Sequence, residues 1–179
     1  MPQRDVIPIK EAPPGDFKNL GVPASRLASL AQSGLAIPEG FVVSQEALAS
    51  VLNSETVAKL KDIGVRAEKA KDDEIQAFCR EAGSVLGDAG LPWETEMALA
   101  KALEAMAQGA WLAPSQEDGG IPVFAPVRTK NALIERIREI WATVLDSDSP
   151  ENWHEPFSPV VALAAQDFEV SGIAELGGE

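Results

Sequence analysis

Few residues in this sequence have the type and spacing that chemistry requires. The single histidine, His154, lies in a Trp-His-Glu-Pro context without an identifiable partner for proton transfer, so we interpret it as a surface or helix-flanking residue. The single cysteine, Cys79, falls inside a helical pattern and is expected to be a small buried apolar residue. No Cys/His arrangement has metal-ligand spacing. We therefore predict no catalytic residue and no metal ligand.

Acidic pairs and a glycine pair are the remaining candidates for a site. Asp72-Asp73 and Glu117-Asp118 are most simply solvated charges at a helix start and in a loop. Gly119-Gly120 gives a flexible turn, but it is a poor phosphate cradle. The sequence has no Gly-x-x-x-x-Gly-Lys-Ser/Thr loop and no Gly-x-Gly-x-x-Gly motif. These residues by themselves predict no nucleotide site.

Composition and charge narrow the classes of function. A chain of 179 residues with 45% hydrophobic residues fits one globular domain. The 28 acidic and 15 basic residues give a net charge of −13, which disfavours nucleic acids and anionic membranes and leaves a basic protein partner open. One thiol forms no internal disulfide, and no apolar run resembles a signal peptide or a membrane span. These features predict a cytoplasmic protein.

Hydrophobic periodicity predicts helices interrupted by short strands, which is typical of a mixed α/β domain. Pro8 should confine the first strand to a sheet edge, and Ser44 is the expected N-cap of a helix. We divide the chain into an N-terminal edge strand and linker (1–15), a single domain (16–174) and a frayed tail (175–179). The predicted strands are 6–9, 41–43, 110–112, 123–127, 160–164 and 168–173, and the predicted helices are 23–32, 44–52, 56–70, 72–86, 95–107 and 131–144.

Two segments carry a family resemblance. Residues 21–43 read GVPASRLASLAQSGLAIPEGFVV, and residues 127–143 read VRTKNALIERIREIWAT. The first resembles the opening GGKGANLAELARAGLPVPPGFVV of the nucleotide-binding domain of phosphoenolpyruvate synthase and pyruvate phosphate dikinase. The second resembles that family's passage NVRGEEALLEAIRRCWAS. The resemblance runs from about residue 16 to residue 173. It implies an ATP-grasp-like N-terminal subdomain with a helical insertion and a short mixed or antiparallel sheet.

The same resemblance implies that the chemistry has been lost. Pro23 stands where the family has its phosphate-binding lysine, and Ala113 stands where it has the arginine of Val-Arg-Ser-Ser. Phosphoryl transfer depends on cations and metal ions that stabilise charge, so neither replacement can serve. Arg26 should point about one helical turn away, and Arg128 directly precedes a helix that the family places later. The family's downstream acidic metal ligands, phosphohistidine domain and pyruvate-binding barrel have no counterpart here.

Three functions follow as hypotheses. The first is a non-catalytic regulatory or structural subunit without a cofactor, whose protein partner would be a phosphoenolpyruvate synthase-like or phosphohistidine-domain chain. Trp153 and Phe157 are its predicted interface residues, whereas Trp111 and Trp141 are expected in the core. The second is the nucleotide-binding part of a split ATP-dependent phosphotransferase, which would hold Mg-ATP together with a partner chain. The third is an unrelated binding role on a borrowed fold.

Overall fold

Four short strands form an antiparallel sheet at the centre of the molecule. The computed structural model describes residues 5–115, 126–145, 150–153 and 159–165. Within these residues the strand order is β1-β2-β4-β3, and every neighbouring pair is antiparallel. The strands are β1 (Val6–Pro8), β2 (Gly40–Val43), β3 (Ala110–Pro114) and β4 (Val160–Ala164).

The sheet confirms the predicted position of proline in its first strand. Pro8 ends β1, whose single neighbour among the described strands is β2, so no backbone donor is needed on its outer side. Val127 forms an isolated bridge with Ala110, so the last residue of the predicted strand 123–127 contacts the sheet. Pro126 is not in a strand, and residues 123–125 and the predicted strand 168–173 lie outside the described residues.

Six helices surround the sheet in the described part of the chain. Side chains cap four of their N-termini: Asp16 accepts from Asn19 N–H, Ser44 from Ala47 N–H, Asn53 from Thr56 N–H and Thr129 from Ala132 N–H. The predicted N-cap at Ser44 is thus confirmed. The helices are α1 (Phe17–Gln32), α2 (Gln45–Val51), α3 (Ser54–Ala67), α4 (Asp72–Asp88), α5 (Trp93–Glu104) and α6 (Lys130–Leu145).

The two faces of the sheet are covered by different helices. On one face, Val42 of β2 and Val161 of β4 pack in a cluster with residues of α1 and with Ile9, which follows β1. On the other face, Phe41 and Val160 belong to a larger cluster built with residues of α2 to α6. Successive strand residues point to opposite faces, which explains why both strands are apolar throughout. The fold is a mixed α+β arrangement with helices on both faces of the sheet.

The N-terminal segment is part of this arrangement. Ile9, the last residue of the predicted first strand, and Ala12, in the predicted linker, are fully buried against α1. The hydroxyl of Ser25 accepts a hydrogen bond of 2.9 Å from the backbone of Gly15, and Gln32 donates to the carbonyl of Ala12. Residues 9–15 therefore pack against α1.

Candidate functional site

The segment that resembles the family's phosphate-binding opening lies at a kink in α1. Gly21 interrupts the helix with φ 72° and ψ 165°, a conformation that strongly favours glycine. Regular helix restarts immediately afterwards, so Pro23 occupies a first helical turn, as predicted. The restarted turn presents backbone N–H groups that a phosphate could use if they were open to solvent.

Ser115, which follows β3, contacts the first turn of the restarted helix. Its hydroxyl lies 3.1 Å from the backbone nitrogen of Ala24 and accepts that N–H, although the two residues are 91 positions apart. The backbone of Ser115 packs so closely on Gly21 that a Cβ at residue 21 would overlap its carbonyl oxygen. Ser115 itself is 1% exposed. We call these four residues, Gly21, Pro23, Ala24 and Ser115, the α1–β3 junction.

The α1–β3 junction brings together the two segments in which the resemblance places phosphate contacts. Ala113 lies on β3 and packs into the cluster formed with α1, so its side chain is on the α1 face of the sheet. Pro23 begins the restarted helix, and Ser115 follows β3 directly. An arginine at residue 113 and a lysine at residue 23 would both belong to this layer, where the chain has an alanine and a proline.

The two arginines considered from the sequence are both exposed. Arg26 lies on α1, three residues after Pro23. Arg128 follows Val127, whose backbone pairs with Ala110 at the opposite end of β3 from Ser115. At about 3.3 Å per strand residue, these two ends are about 16 Å apart. Arg128 therefore enters the fold at the wrong end of β3 to replace a cation at the α1–β3 junction.

The junction consequently has little capacity for an anion. Proline lacks a backbone N–H, and the N–H of Ala24 is already used within the protein. Binding a phosphate would require breaking the Ala24–Ser115 hydrogen bond without a cation in compensation from residue 23 or residue 113. The contacts of the junction hold α1 against the end of β3, which is a structural role.

The prediction that Trp153 is an interface residue is wrong. Its side chain is fully buried in the larger cluster, so it offers no exposed ring to a partner. The 3-10 turn Pro150–Asn152 brings it there by packing on α3. Gly64 of α3 makes the close approach possible, because a Cβ there would overlap the carbonyl of Pro150. The other predicted interface residue, Phe157, lies outside the described residues.

Of the other burial predictions, those for Cys79 and Trp141 are confirmed and that for Trp111 is wrong. Cys79 and Trp141 are buried, at 6% and 1% exposed, as expected. Trp111 was expected in the core and is 37% exposed, because its side chain alternates with that of buried Leu112 along β3. His154, Glu117-Asp118 and Gly119-Gly120 lie outside the described residues.

Sequence reasoning missed one contact at the α1–β3 junction and one exposed surface on α5. No local signal links Ser115 to α1, because its partner is distant in the chain and the contact depends on how β3 is placed. Trp93 was also missed: it opens α5 with 66% of its surface exposed, and Met97 follows one turn later at 46%. Met97 falls in the predicted helix 95–107 and lies on its exposed side.

Comparison with known proteins adds no family to these observations. No family model matches the chain, and no curated protein matches it in sequence. Among the described residues, no helix is both long and apolar enough to cross a membrane. In the same part of the chain, no group of three or more His, Cys, Asp or Glu side chains could hold a metal ion.

Proposed function

We propose that this chain is a non-catalytic module, a regulatory or structural subunit built on a fold that resembles the nucleotide-binding domain of phosphoenolpyruvate synthase-like enzymes. The observation that carries the proposal is the closed α1–β3 junction. Ser115 uses the N–H of Ala24, while Pro23 and Ala113 supply no charge. Mg-ATP needs cations and open backbone donors at such a place, whereas residues 23 and 113 carry no charge and the N–H of Ala24 is already bonded to Ser115.

The alternative is a split phosphotransferase in which a second chain completes the nucleotide site. Residues 37–41, Ile-Pro-Glu-Gly-Phe, favour it, since they keep the family's pattern and lead into β2. The two lost cations count against it, because a partner would have to place its own positive groups against α1. We therefore treat the scaffold as the proposed function and the split enzyme as the outcome to be tested against it.

A subunit needs a contact surface, and α5 provides one. Trp93 and Met97 lie four residues apart on one exposed side of this helix. Exposed tryptophan is enriched among the residues that dominate binding energy at protein interfaces. We propose these two side chains, in place of Trp153, as the described part of the partner contact.

Titration calorimetry with Mg-ATP tests the loss of nucleotide binding. We expect no saturable heat for the isolated chain at concentrations up to about 1 mM, because a triphosphate gains no charge-assisted bonds at the α1–β3 junction. A micromolar Kd that is weakened by Arg26→Ala or Arg128→Ala would overturn the proposal. Binding that requires a co-purified second chain would favour the split enzyme.

Recovery of the tagged chain from its native host tests the subunit role. We expect a companion protein to co-purify with the wild-type chain and to be reduced about tenfold or more by Trp93→Ala, as for an interface hot spot. Leu35→Ala is the matched control, since Leu35 is 57% exposed on the loop after α1. Isolation of the wild-type chain only as a free monomer would contradict this role.

A further inference from the structure

An apolar cleft lies between one edge of the sheet and the C-terminal end of α5. Its volume is about 200 Å³, smaller than the several hundred Å³ of sites for drug-sized ligands. The cleft is not part of the α1–β3 junction. Its walls come from β1 and the turn that follows, from the start of β2, and from α5 and the residues just after it: Pro8, Lys10, Glu39, Gly40, Phe41, Ala102, Ala105 and Met106.

The interior of the cleft is hydrocarbon. Phe41 and Met106 are 2% and 7% exposed, so each shows the cleft a small part of an otherwise buried side chain. Pro8, Ala102 and Ala105 are small or rigid, and they leave space that larger side chains would fill. An apolar group entering the cleft would lose water-exposed surface without burying an unpaired polar side chain of the wall.

The rim of the cleft carries one positive and one negative group side by side. Lys10 Nζ lies 3.4 Å from Glu39 Oε1, and the two side chains are 60% and 62% exposed. A pair this exposed contributes little stability, so separating the two groups costs little. Each group is then available to a ligand that offers the opposite charge.

We propose that this cleft binds a small apolar α-amino acid in its zwitterionic form. The α-carboxylate would accept from Lys10, the α-ammonium group would donate to Glu39, and the side chain would enter among Phe41, Ala105 and Met106. The ligand replaces one ion pair with two and buries its apolar group, so charge and shape are matched together. A simple anion such as phosphate gains no such match, because Glu39 repels it. This inference is independent of the proposed subunit role.

Calorimetric or NMR titration with L-leucine tests the site. We expect saturable binding with a Kd below about 1 mM. Two analogues distinguish a free amino acid from the end of a peptide. N-acetyl-L-leucine keeps only the carboxylate, as a peptide C-terminus does, and L-leucinamide keeps only the ammonium group, as a peptide N-terminus does. Each lacks one charge and should bind about tenfold more weakly than leucine. Absence of saturable leucine binding, or equal binding of all three, would overturn the proposal.

Variants of the wall and the rim complete the test. Lys10→Met should raise the Kd for leucine about tenfold, and Ala105→Phe should abolish binding by filling the cleft. Ala105 is exposed, so this substitution should leave the fold intact, which circular dichroism would verify. Lys18→Met, which removes an exposed lysine of α1, is the matched control and should not change the Kd. An unchanged Kd for Ala105→Phe would place any leucine binding elsewhere and overturn the inference.

Discussion

Gly21 and Ser115 show how two single residues fix the geometry of the candidate site. Gly21 provides a backbone conformation that other residues rarely adopt, and it leaves room for the chain of Ser115. Ser115 in turn caps the restarted helix through Ala24. Ser115 can approach α1 because residue 21 has no side chain, and its hydrogen bond to Ala24 then holds α1 against the end of β3.

Gly21→Ala should therefore be strongly destabilising. We expect it to lower the free energy of unfolding by about 3 kcal/mol or more, because backbone strain and a steric overlap with Ser115 act together. Gly34→Ala is the matched control, since Gly34 has φ 81° but open space around its Cβ position. It should cost only about 1–2 kcal/mol of strain. Equal losses in urea unfolding would show that the contact with Ser115 contributes nothing.

At the scale of elements, two glycines of α4 that lie one turn apart differ in how closely α6 packs against them. Gly83 faces α6, where an added Cβ would lie 3.2 Å from the Cβ of Ala142. Gly87, one turn later, has open space at the same position. The same residue type thus has a packing role at one site of α4 and none at the other.

Gly87→Ala should stabilise the protein. Alanine has a higher helix propensity than glycine, and no neighbour obstructs its methyl group, so we expect a gain of about 0.5–1 kcal/mol in the free energy of unfolding. Gly83→Leu should instead lose about 1–3 kcal/mol by forcing α4 away from α6. Thermal and urea unfolding of both variants would measure the difference. A loss of stability for Gly87→Ala would contradict the open environment described for that residue.

At the scale of the whole molecule, helices on both faces of the sheet decide which aromatic residues are available to partners. Trp153 is drawn into the larger core by the turn that packs on α3, whereas Trp93 remains exposed at the start of α5. The two tryptophans therefore have opposite environments, although the sequence places both beside proline or polar residues.

Trp153→Ala should lower the free energy of unfolding by about 3–5 kcal/mol, because it leaves a large cavity in the core. Trp93→Ala should change it by less than about 0.5 kcal/mol, since the side chain is mostly in water. Urea unfolding followed by circular dichroism would give both values. A similar small effect for the two variants would mean that Trp153 does not pack in the core.

The sequence by itself determined several elements of this protein, although α1 begins at Phe17 and not at the predicted residue 23. Strands β2 and β4, the N-cap at Ser44, the edge position of Pro8 and the helices near 72–86 and 131–144 follow from local patterns, because hydrophobic period, capping and proline chemistry act between neighbouring residues. Only the tertiary structure decided the contacts between distant residues. Ser115 on α1, Trp153 under α3 and Lys10 beside Glu39 depend on how the elements pack, which no local pattern encodes.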